Sequence, residues 1–247
     1  MMKNLFRKYW YLTVVAVLFF ASASFAQTTV DVTNVGDGVA VYNSSGTGYY
    51  VDPYGGTVGG VASTLICDDW ADNSNLNTPF QANISSITPT GITGSTPLFG
   101  NNPGLYNEAA WLASQLLGNT NATSQAELSF ALWELTFPHY PYSPGEADPE
   151  SPFAFLGTNN NTILAGAQAY LCEAAGSSVS GCTGAGEASY NASGWEILTP
   201  TMGSNQEQQE FLVRTPESSA VVLFAADMLG LLGLAIVFRR RLLRPIL

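Results

Sequence analysis

Basic residues are missing from most of this 247-residue chain, because no Lys or Arg occurs in residues 27–213. Seventeen of the 19 Asp and Glu residues precede residue 214, and the formal net charge is −11. A nucleic-acid-binding surface needs Lys or Arg to neutralise phosphates, so nucleic acid is excluded as a partner of this region. P-loop nucleotide chemistry and Schiff-base catalysis need a Lys and are excluded there as well.

Histidine and cysteine are also scarce, with one His and three Cys in the chain. The single imidazole, His139, stands in a proline-rich aromatic segment, where we expect it to pack as a loop residue and not to serve a Ser-His-Asp site. A His-based zinc site is excluded by count, and the cysteines lack metal-ligand spacing. Glycosidase chemistry needs only two carboxylates, but the sequence selects no pair, so a glycan-processing enzyme is a lower-ranked alternative.

One acidic segment is a weak candidate for Ca²⁺. Asp68, Asp69 and Asp72 could supply oxygen ligands, but their spacing differs from that of an EF-hand loop, and a solvated acidic loop is the simpler interpretation. We therefore expect no cofactor, with Ca²⁺ as the one candidate.

The amino-terminal 26 residues have the three parts of a secretory signal peptide. Lys3, Arg7 and Lys8 precede an apolar stretch over residues 10–20, and small residues follow up to Gln27. This order predicts export with cleavage before Gln27. An uncleaved membrane anchor is the alternative, although the apolar stretch is short for a membrane span.

The carboxyl end carries a second membrane signal. Residues 219–238 form a 20-residue apolar segment with one charge, Asp227. This length predicts a transmembrane helix, and the basic cluster behind it (Arg239, Arg240 and Arg241, with Arg244 beyond) predicts a cytoplasmic end. A permanent single-pass anchor is one interpretation.

The tail also resembles a known sorting signal. Residues 215–218 contain Pro216-Glu217, the apolar segment follows, and the Arg-rich stretch 239–244 comes last, which is the order of the PEP-CTERM sorting domain. The resemblance covers residues 214–247. It implies a bacterial exported protein whose tail is recognised by a membrane exosortase and cut near Pro216-Glu217, in a setting of exopolysaccharide, biofilm or envelope production.

Residues 27–213 have the pattern of a single acidic α+β domain. Short β-prone runs alternate with Gly- and Asn-rich turns. They predict a meander or sandwich-like β part with strands over residues 28–32, 39–42, 49–51, 61–66, 195–198 and 210–213.

Helical spacing of apolar residues predicts a small layer of three helices in the same domain. The first begins near Pro103 and stops at Gly118. The second begins at Ser124, which would form a capping box with Glu127, and the third covers residues 162–175.

The cysteines divide into a pair and a remainder. Cys172 and Cys182 flank a Gly/Ser-rich loop, and in an exported protein this local spacing favours a disulfide over two free thiols. Cys67 is then left unpaired.

An exported Cys-Asp at a strand end precedes one helix with Ala110-Trp111-Leu112 and another with Ala131-Leu132-Trp133. In this arrangement, residues 65–135 resemble bacterial surface thioester domains. The family joins its Cys to a Gln side chain in a reactive ester that captures amines, so the resemblance assigns Cys67 to the thiol position. Ser129 occupies the usual Gln position, and Gln125 lies one turn earlier.

Taken together, these features predict a non-enzymatic exported protein of the bacterial envelope or extracellular matrix. With no fixed cation in the domain, contact with an acidic polysaccharide would need bridging Ca²⁺, whereas an uncharged one could be contacted through exposed Tyr and Trp side chains. A covalent adhesin using Cys67 is the main alternative.

Overall fold

The computed structural model describes residues 27–88, 90–139, 150–157, 160–201 and 208–215, and these form an α+β fold, as the sequence predicts. The predicted signal peptide, the Pro216-Glu217 motif and the Arg-rich end lie outside these ranges. None of the helices within them is long and apolar enough to cross a membrane, and the predicted span over residues 219–238 also lies outside them.

The described residues form nine strands, all paired antiparallel. Their bounds are β1 Gln27–Asn34, β2 Ala40–Tyr42, β3 Gly48–Tyr50, β4 Tyr54–Val58, β5 Val61–Cys67, β6 Phe80–Thr88, β7 Gly91–Gly94, β8 Trp195–Pro200 and β9 Phe211–Arg214.

Six of these strands form a sheet that closes on itself, in place of the predicted meander or sandwich. The order is β1-β4-β5-β9-β8-β6, and β6 pairs back with β1. Val30 of β1 shows the closure, since it lies opposite Val58 of β4 on one side and Phe80 of β6 on the other. The far half of β6 pairs with β7, where Ile87 lies opposite Ile92.

The two late strands, β8 and β9, are buried on both faces. Consecutive side chains of a strand point to opposite faces, yet neighbours such as Ile197 and Leu198, or Phe211 and Leu212, are all 0% exposed. Strands covered on both sides favour continuous apolar runs, which is the pattern of residues 211–213 in β9, whereas Glu196 and Thr199 interrupt the apolar residues of β8.

Four α-helices occur in the described ranges: α1 Pro103–Leu117, α2 Ala122–Thr136, α3 Pro152–Leu156 and α4 Asn161–Ala175. The stops predicted at residues 118 and 175 are confirmed. The start predicted for the second helix is wrong. Asn121 caps α2, because its side-chain oxygen accepts from the amides of Thr123 and Ser124 at 3.0 and 3.1 Å, so Ser124 lies inside the first turn.

Five aromatic side chains tie the helices to the β2–β3 hairpin. We call them the aromatic cluster; they are Tyr49, Trp70, Phe130, Trp133 and Phe155. Trp70 lies at the centre, with its ring 4.3 Å from that of Tyr49 and 5.3 Å from those of Trp133 and Phe155. The cluster therefore joins β3, the segment after β5, α2 and α3.

A disulfide closes the loop behind α4. Cys172 and Cys182 are bonded, with their Cα atoms 5.0 Å apart, and Cys67 is a free, buried cysteine. Gly176 ends the helix at a φ of 54°, where an added Cβ would collide with the backbone of residues 184–186. The loop thus folds back directly against the end of α4.

Replacing both bonded cysteines by serine (Cys172→Ser with Cys182→Ser) should lower the free energy of unfolding by about 3 kcal/mol, because the unfolded chain regains the freedom of the closed loop. Denaturant titration of both proteins without reductant measures this difference. Reduced wild type should then unfold like the variant. Unchanged denaturation midpoints would contradict the prediction, as would a peptide map joining Cys67 to either partner.

Candidate functional site

The chain leaves β5 through residues 67–69, and side chains from distant parts of the chain bind all three of their backbone carbonyls. Trp133 Nε1 donates to the carbonyl of residue 67 at 3.0 Å, Thr136 Oγ1 to that of residue 68 at 2.6 Å, and Gln209 Nε2 to that of residue 69 at 3.0 Å. Two donors lie on α2 and the third just precedes β9. The segment is thereby fixed between the helical layer and the closed sheet.

Three carboxyl groups are buried around this segment. Asp68, Asp69 and Glu210, which we call the acidic cluster, are each 0% exposed. No lysine or arginine occurs in residues 27–213 to neutralise them, so their burial must be balanced by hydrogen bonds or by protonation.

Glu210 is the well-bonded member of the acidic cluster. Its carboxylate accepts from Tyr106 Oη at 2.5 Å, Thr199 Oγ1 at 2.5 Å and the amide of Leu98 at 2.8 Å. The donors come from α1, β8 and the segment before α1. Burial raises the pKa of Glu210, while these hydrogen bonds oppose the rise.

Asp68 is the poorly bonded member. Both of its carboxyl oxygens are buried and have no hydrogen-bond partner in the described part of the chain. Burial, together with repulsion from Glu210 and Asp69, raises the pKa of Asp68 well above its usual value. Burial and repulsion from Asp72 raise the pKa of Asp69 to about 7. The acidic cluster therefore holds protons at pH values where exposed carboxyls are fully ionised.

The candidate calcium residues do not share an open loop. Asp69 turns its Oδ1 back to the amides of Ala71 and Asp72, at 2.9 and 3.4 Å, while Asp68 is enclosed. Within the described ranges, no group of three or more His, Cys, Asp or Glu residues is placed to hold a metal ion.

The two residues of the thioester comparison bind different partners. The Cys67 thiol donates to the carbonyl of Asp69 at 3.1 Å, and burial raises its pKa well above the usual value. The Gln125 amide donates to the carbonyl of Asn119 at 3.1 Å, at the start of α2. Gln125 precedes Trp133, which binds the Cys67 carbonyl, by eight residues, or about 12 Å along the helix.

A cleft of about 910 Å³ opens in the helical layer, on the side of the disulfide loop. It brings together Glu108 of α1, Glu134 of α2 and His139, with Leu105 and Phe153 among its apolar lining residues. Burial raises the pKa of Glu108 to about 7 and also raises that of Glu134. His139 therefore lines a cleft, whereas the sequence predicted a packed loop residue.

The β2–β3 hairpin presents two tyrosines to solvent. In its register Ala40 lies opposite Tyr50 and Tyr42 lies opposite Gly48, so both rings stand on one face of the hairpin. Tyr42 is 60% exposed and Tyr50 is 44% exposed. The ring of Tyr42 covers Gly48, where a Cβ would collide with it.

The expectation of exposed Trp side chains is wrong for the described tryptophans. Trp70, Trp133 and Trp195 are buried and Trp111 is partly buried. Among the described residues, the exposed aromatic side chains are those of Tyr42 and Tyr50.

Sequence reasoning did not single out Glu210, Glu108 or the tyrosine pair. The burial of Glu108 could have been predicted from its spacing, because Glu108 falls on the same helical face as Leu105 and Leu112, both of which are buried. Glu210 gave no such signal, since its partners lie 11 to 112 residues away along the chain.

The acidic cluster should make stability depend on pH. A carboxyl whose folded pKa is raised stabilises the fold below its unfolded pKa, and this contribution is lost as pH rises through the folded pKa. We expect the free energy of unfolding to fall between pH 5 and pH 8. The Asp68→Asn variant should have a higher free energy of unfolding than wild type at pH 8. The difference between the two proteins should be larger at pH 8 than at pH 5 by at least about 1.4 kcal/mol, which corresponds to a tenfold change in the proton equilibrium.

Denaturant titrations at the two pH values measure that difference. Asp37→Asn is the matched control, because Asp37 is exposed, and it should change the pH dependence little. Parallel pH profiles for wild type and Asp68→Asn would contradict the prediction.

Comparison with protein-family models, with curated proteins and with solved structures finds no match to this chain.

Proposed function

We propose that this chain is an exported, non-enzymatic protein of the bacterial envelope or extracellular matrix, and that it contacts uncharged polysaccharide through Tyr42 and Tyr50. The observation that carries the contact is the placement of two exposed rings on one face of a short hairpin. Sugar rings have apolar C–H faces that stack on aromatic rings, and a tyrosine adds a hydroxyl for hydrogen bonding.

The underside of the hairpin makes this face a firm support. Val41 and Tyr49 alternate with the exposed tyrosines and point inward, where Tyr49 joins the aromatic cluster. The hairpin is also held from the side, because Asn160 Nδ2 donates to the carbonyl of Tyr42 at 3.1 Å. A preorganised surface loses less conformational entropy when a ligand binds, which favours affinity from few contacts.

The charge of the domain supports an uncharged ligand. Residues 27–213 contain 17 carboxylates and no Lys or Arg, so an acidic polysaccharide would be repelled unless Ca²⁺ bridged the two surfaces. Two of the three candidate calcium ligands, Asp68 and Asp69, are buried and unavailable for such bridging at the surface.

The route to the envelope is proposed from the ends of the sequence. Residues 1–26 would direct export, and residues 214–247 would hold a precursor in the inner membrane until an exosortase-type enzyme acts at Pro216-Glu217. The cluster Arg239, Arg240 and Arg241 would keep the end of the tail in the cytoplasm. The product would then reside at the cell surface or in the extracellular matrix.

The covalent-adhesin alternative requires a rearrangement. Gln125 would have to leave Asn119, and the Cys67 thiol would have to leave the carbonyl of Asp69. A Cys67–Gln125 thioester would also lower the intact mass by one expelled ammonia. Methylamine would open it by adding its whole mass as an amide on Gln125, which frees the Cys67 thiol.

The glycan-processing alternative gains one observation. Glu108 and Glu134 line a common cleft, so they are the carboxylate pair that such an activity would use. Loss of sugar release in Glu108→Gln and Glu134→Gln variants would favour that function over simple binding.

Truncating both exposed rings (Tyr42→Ala with Tyr50→Ala) should weaken binding to the host's exopolysaccharide about fivefold to 150-fold, because each aromatic contact contributes about 0.5–1.5 kcal/mol. Affinity electrophoresis in gels that contain this polysaccharide measures the change. Tyr42→Phe with Tyr50→Phe keeps both rings and should retain most of the binding.

Leu76→Ala provides a second control, because Leu76 is 43% exposed and lies outside the hairpin. Its mobility in the gel should match that of wild type. Equal retardation of the double-alanine variant and wild type would overturn the proposed contact.

For processing, we expect the mature protein to begin near Gln27 and to lack the chain beyond about Pro216, because the tail has the order of a cleaved sorting signal. Intact-mass measurement on protein from the native host checks both ends. A mature protein that keeps residues 219–247 would instead carry an ordinary membrane anchor.

A further inference from the structure

The cleft in the helical layer is distinct from the tyrosine face and has an apolar lining with a few polar groups. Its apolar lining residues include Leu105, Leu135, Phe153 and Leu171. Among the described residues, the titratable groups that line it are Glu108, Glu134 and His139, since the two cysteines in its wall form the disulfide. A concave apolar site with a few convergent polar groups is the usual form of a small-molecule site.

Glu108 is the unusual residue in this cleft. Its side chain is only 7% exposed, and it lines the cleft. A carboxyl group held largely away from water destabilises the fold in its charged form unless a hydrogen-bond donor or a cation compensates the charge. Burial raises the pKa of Glu108 to about 7.

Glu134 supplies a second carboxylate from the neighbouring helix. Its Oε2 accepts from the amide of Phe153 at 3.1 Å, so the group is oriented by the start of α3. This bond opposes the rise in the pKa of Glu134 that burial causes. Two elements, α1 and α2, thus each contribute one carboxyl group to the cleft.

No cationic side chain of the domain is available to these carboxylates. Residues 27–213 contain no Lys or Arg, and the described Arg214 lies at the end of β9 and does not line the cleft. The one basic side chain in the lining is His139, which is exposed at the wall. A ligand that carries its own positive charge would therefore provide the counterion that the chain lacks.

We infer that this cleft binds a ligand through a primary ammonium group, with Glu108 and Glu134 as its carboxylate partners and the carbon part of the ligand packed on Leu105, Leu135 and Phe153. An ammonium group has three N–H donors, so a single group can donate to both carboxylates. The ligand class includes alkyl amines and saccharides with unsubstituted amino groups. The inference stands apart from the polysaccharide contact at Tyr42 and Tyr50, because the two sites share no residue.

The test compares two probes of similar shape, 1,4-diaminobutane and butane-1,4-diol, by isothermal titration calorimetry on the full chain at pH 8. The diamine should bind at least tenfold more tightly than the diol. Glu108→Gln combined with Glu134→Gln should remove most of this preference. Glu173→Gln is the matched control, because Glu173 is exposed on α4 outside the cleft, and it should leave the affinity unchanged.

The pH dependence is a second readout that needs no variant. Affinity for the diamine should fall as the pH is lowered from 8 to 6, since Glu108 takes up a proton in this interval. Butane-1,4-diol should show no such fall. Equal affinities for diamine and diol in wild type, no saturable binding of the diamine, or full diamine binding by the Gln variants would each overturn the inference.

A final comparison distinguishes the two sources of the ammonium group. A glucosamine tetrasaccharide that binds more tightly than its fully N-acetylated counterpart would identify an amino sugar. Binding of the diamine with no preference between the two tetrasaccharides would identify a small amine.

Discussion

The packing of Trp70 against its aromatic neighbours is the contact on which both proposed sites depend. Its ring lies within 6 Å of four others, and its Nε1 donates to the carbonyl of Glu150 at 2.8 Å, so both its apolar and polar parts are used. Tyr49 carries the hairpin on one side of this ring, and Phe155 carries α3 on another. Replacing a buried Trp by a small residue costs about 3–5 kcal/mol, a large share of a domain's stability. Here the replacement would remove the packing that supports both the exposed tyrosine face and the wall of the cleft.

The acidic cluster has the opposite energetic character, and two of its three members, Asp68 and Asp69, directly precede Trp70 in the sequence. Its carboxyl groups are buried without any basic partner, a placement that costs free energy whenever they are ionised. The cluster persists because each backbone carbonyl of residues 67–69 is bound and Glu210 accepts three hydrogen bonds. Apolar and aromatic packing thus offsets a polar arrangement that would not be stable alone, and the balance shifts with pH.

The sequence predicted those elements whose signal is local. Apolar spacing located α1 and α4, and short β-prone runs located β8 and β9. Strand β4 was not among the predicted strands, since it contains Gly55 and Gly56. Yet Gly56 lies so close to β1 that a Cβ would collide with the carbonyl of Asp31, and so this strand pairing requires glycine. Strand β6 was not predicted, since one of its inward positions is Ser85, a polar residue satisfied by the carbonyl of Ser95 at 2.7 Å. Closure of the sheet, like the meeting of Tyr106 with Glu210, depends on contacts that no local pattern encodes.

The distribution of charge explains why the two proposed sites differ in what they bind. An acidic domain without fixed cations repels anions over its whole surface, so an exposed contact must be made by groups that carry no charge, and Tyr42 and Tyr50 are such groups. Inside a cleft, solvent screens the same negative charge much less, and a carboxylate there gains far more from a bound cation than it would at the surface. The lack of Lys and Arg therefore has two effects. It keeps polyanions away from the surface of the domain, and it leaves Glu108 in the cleft without a cationic side chain, so that a bound cation is favoured there.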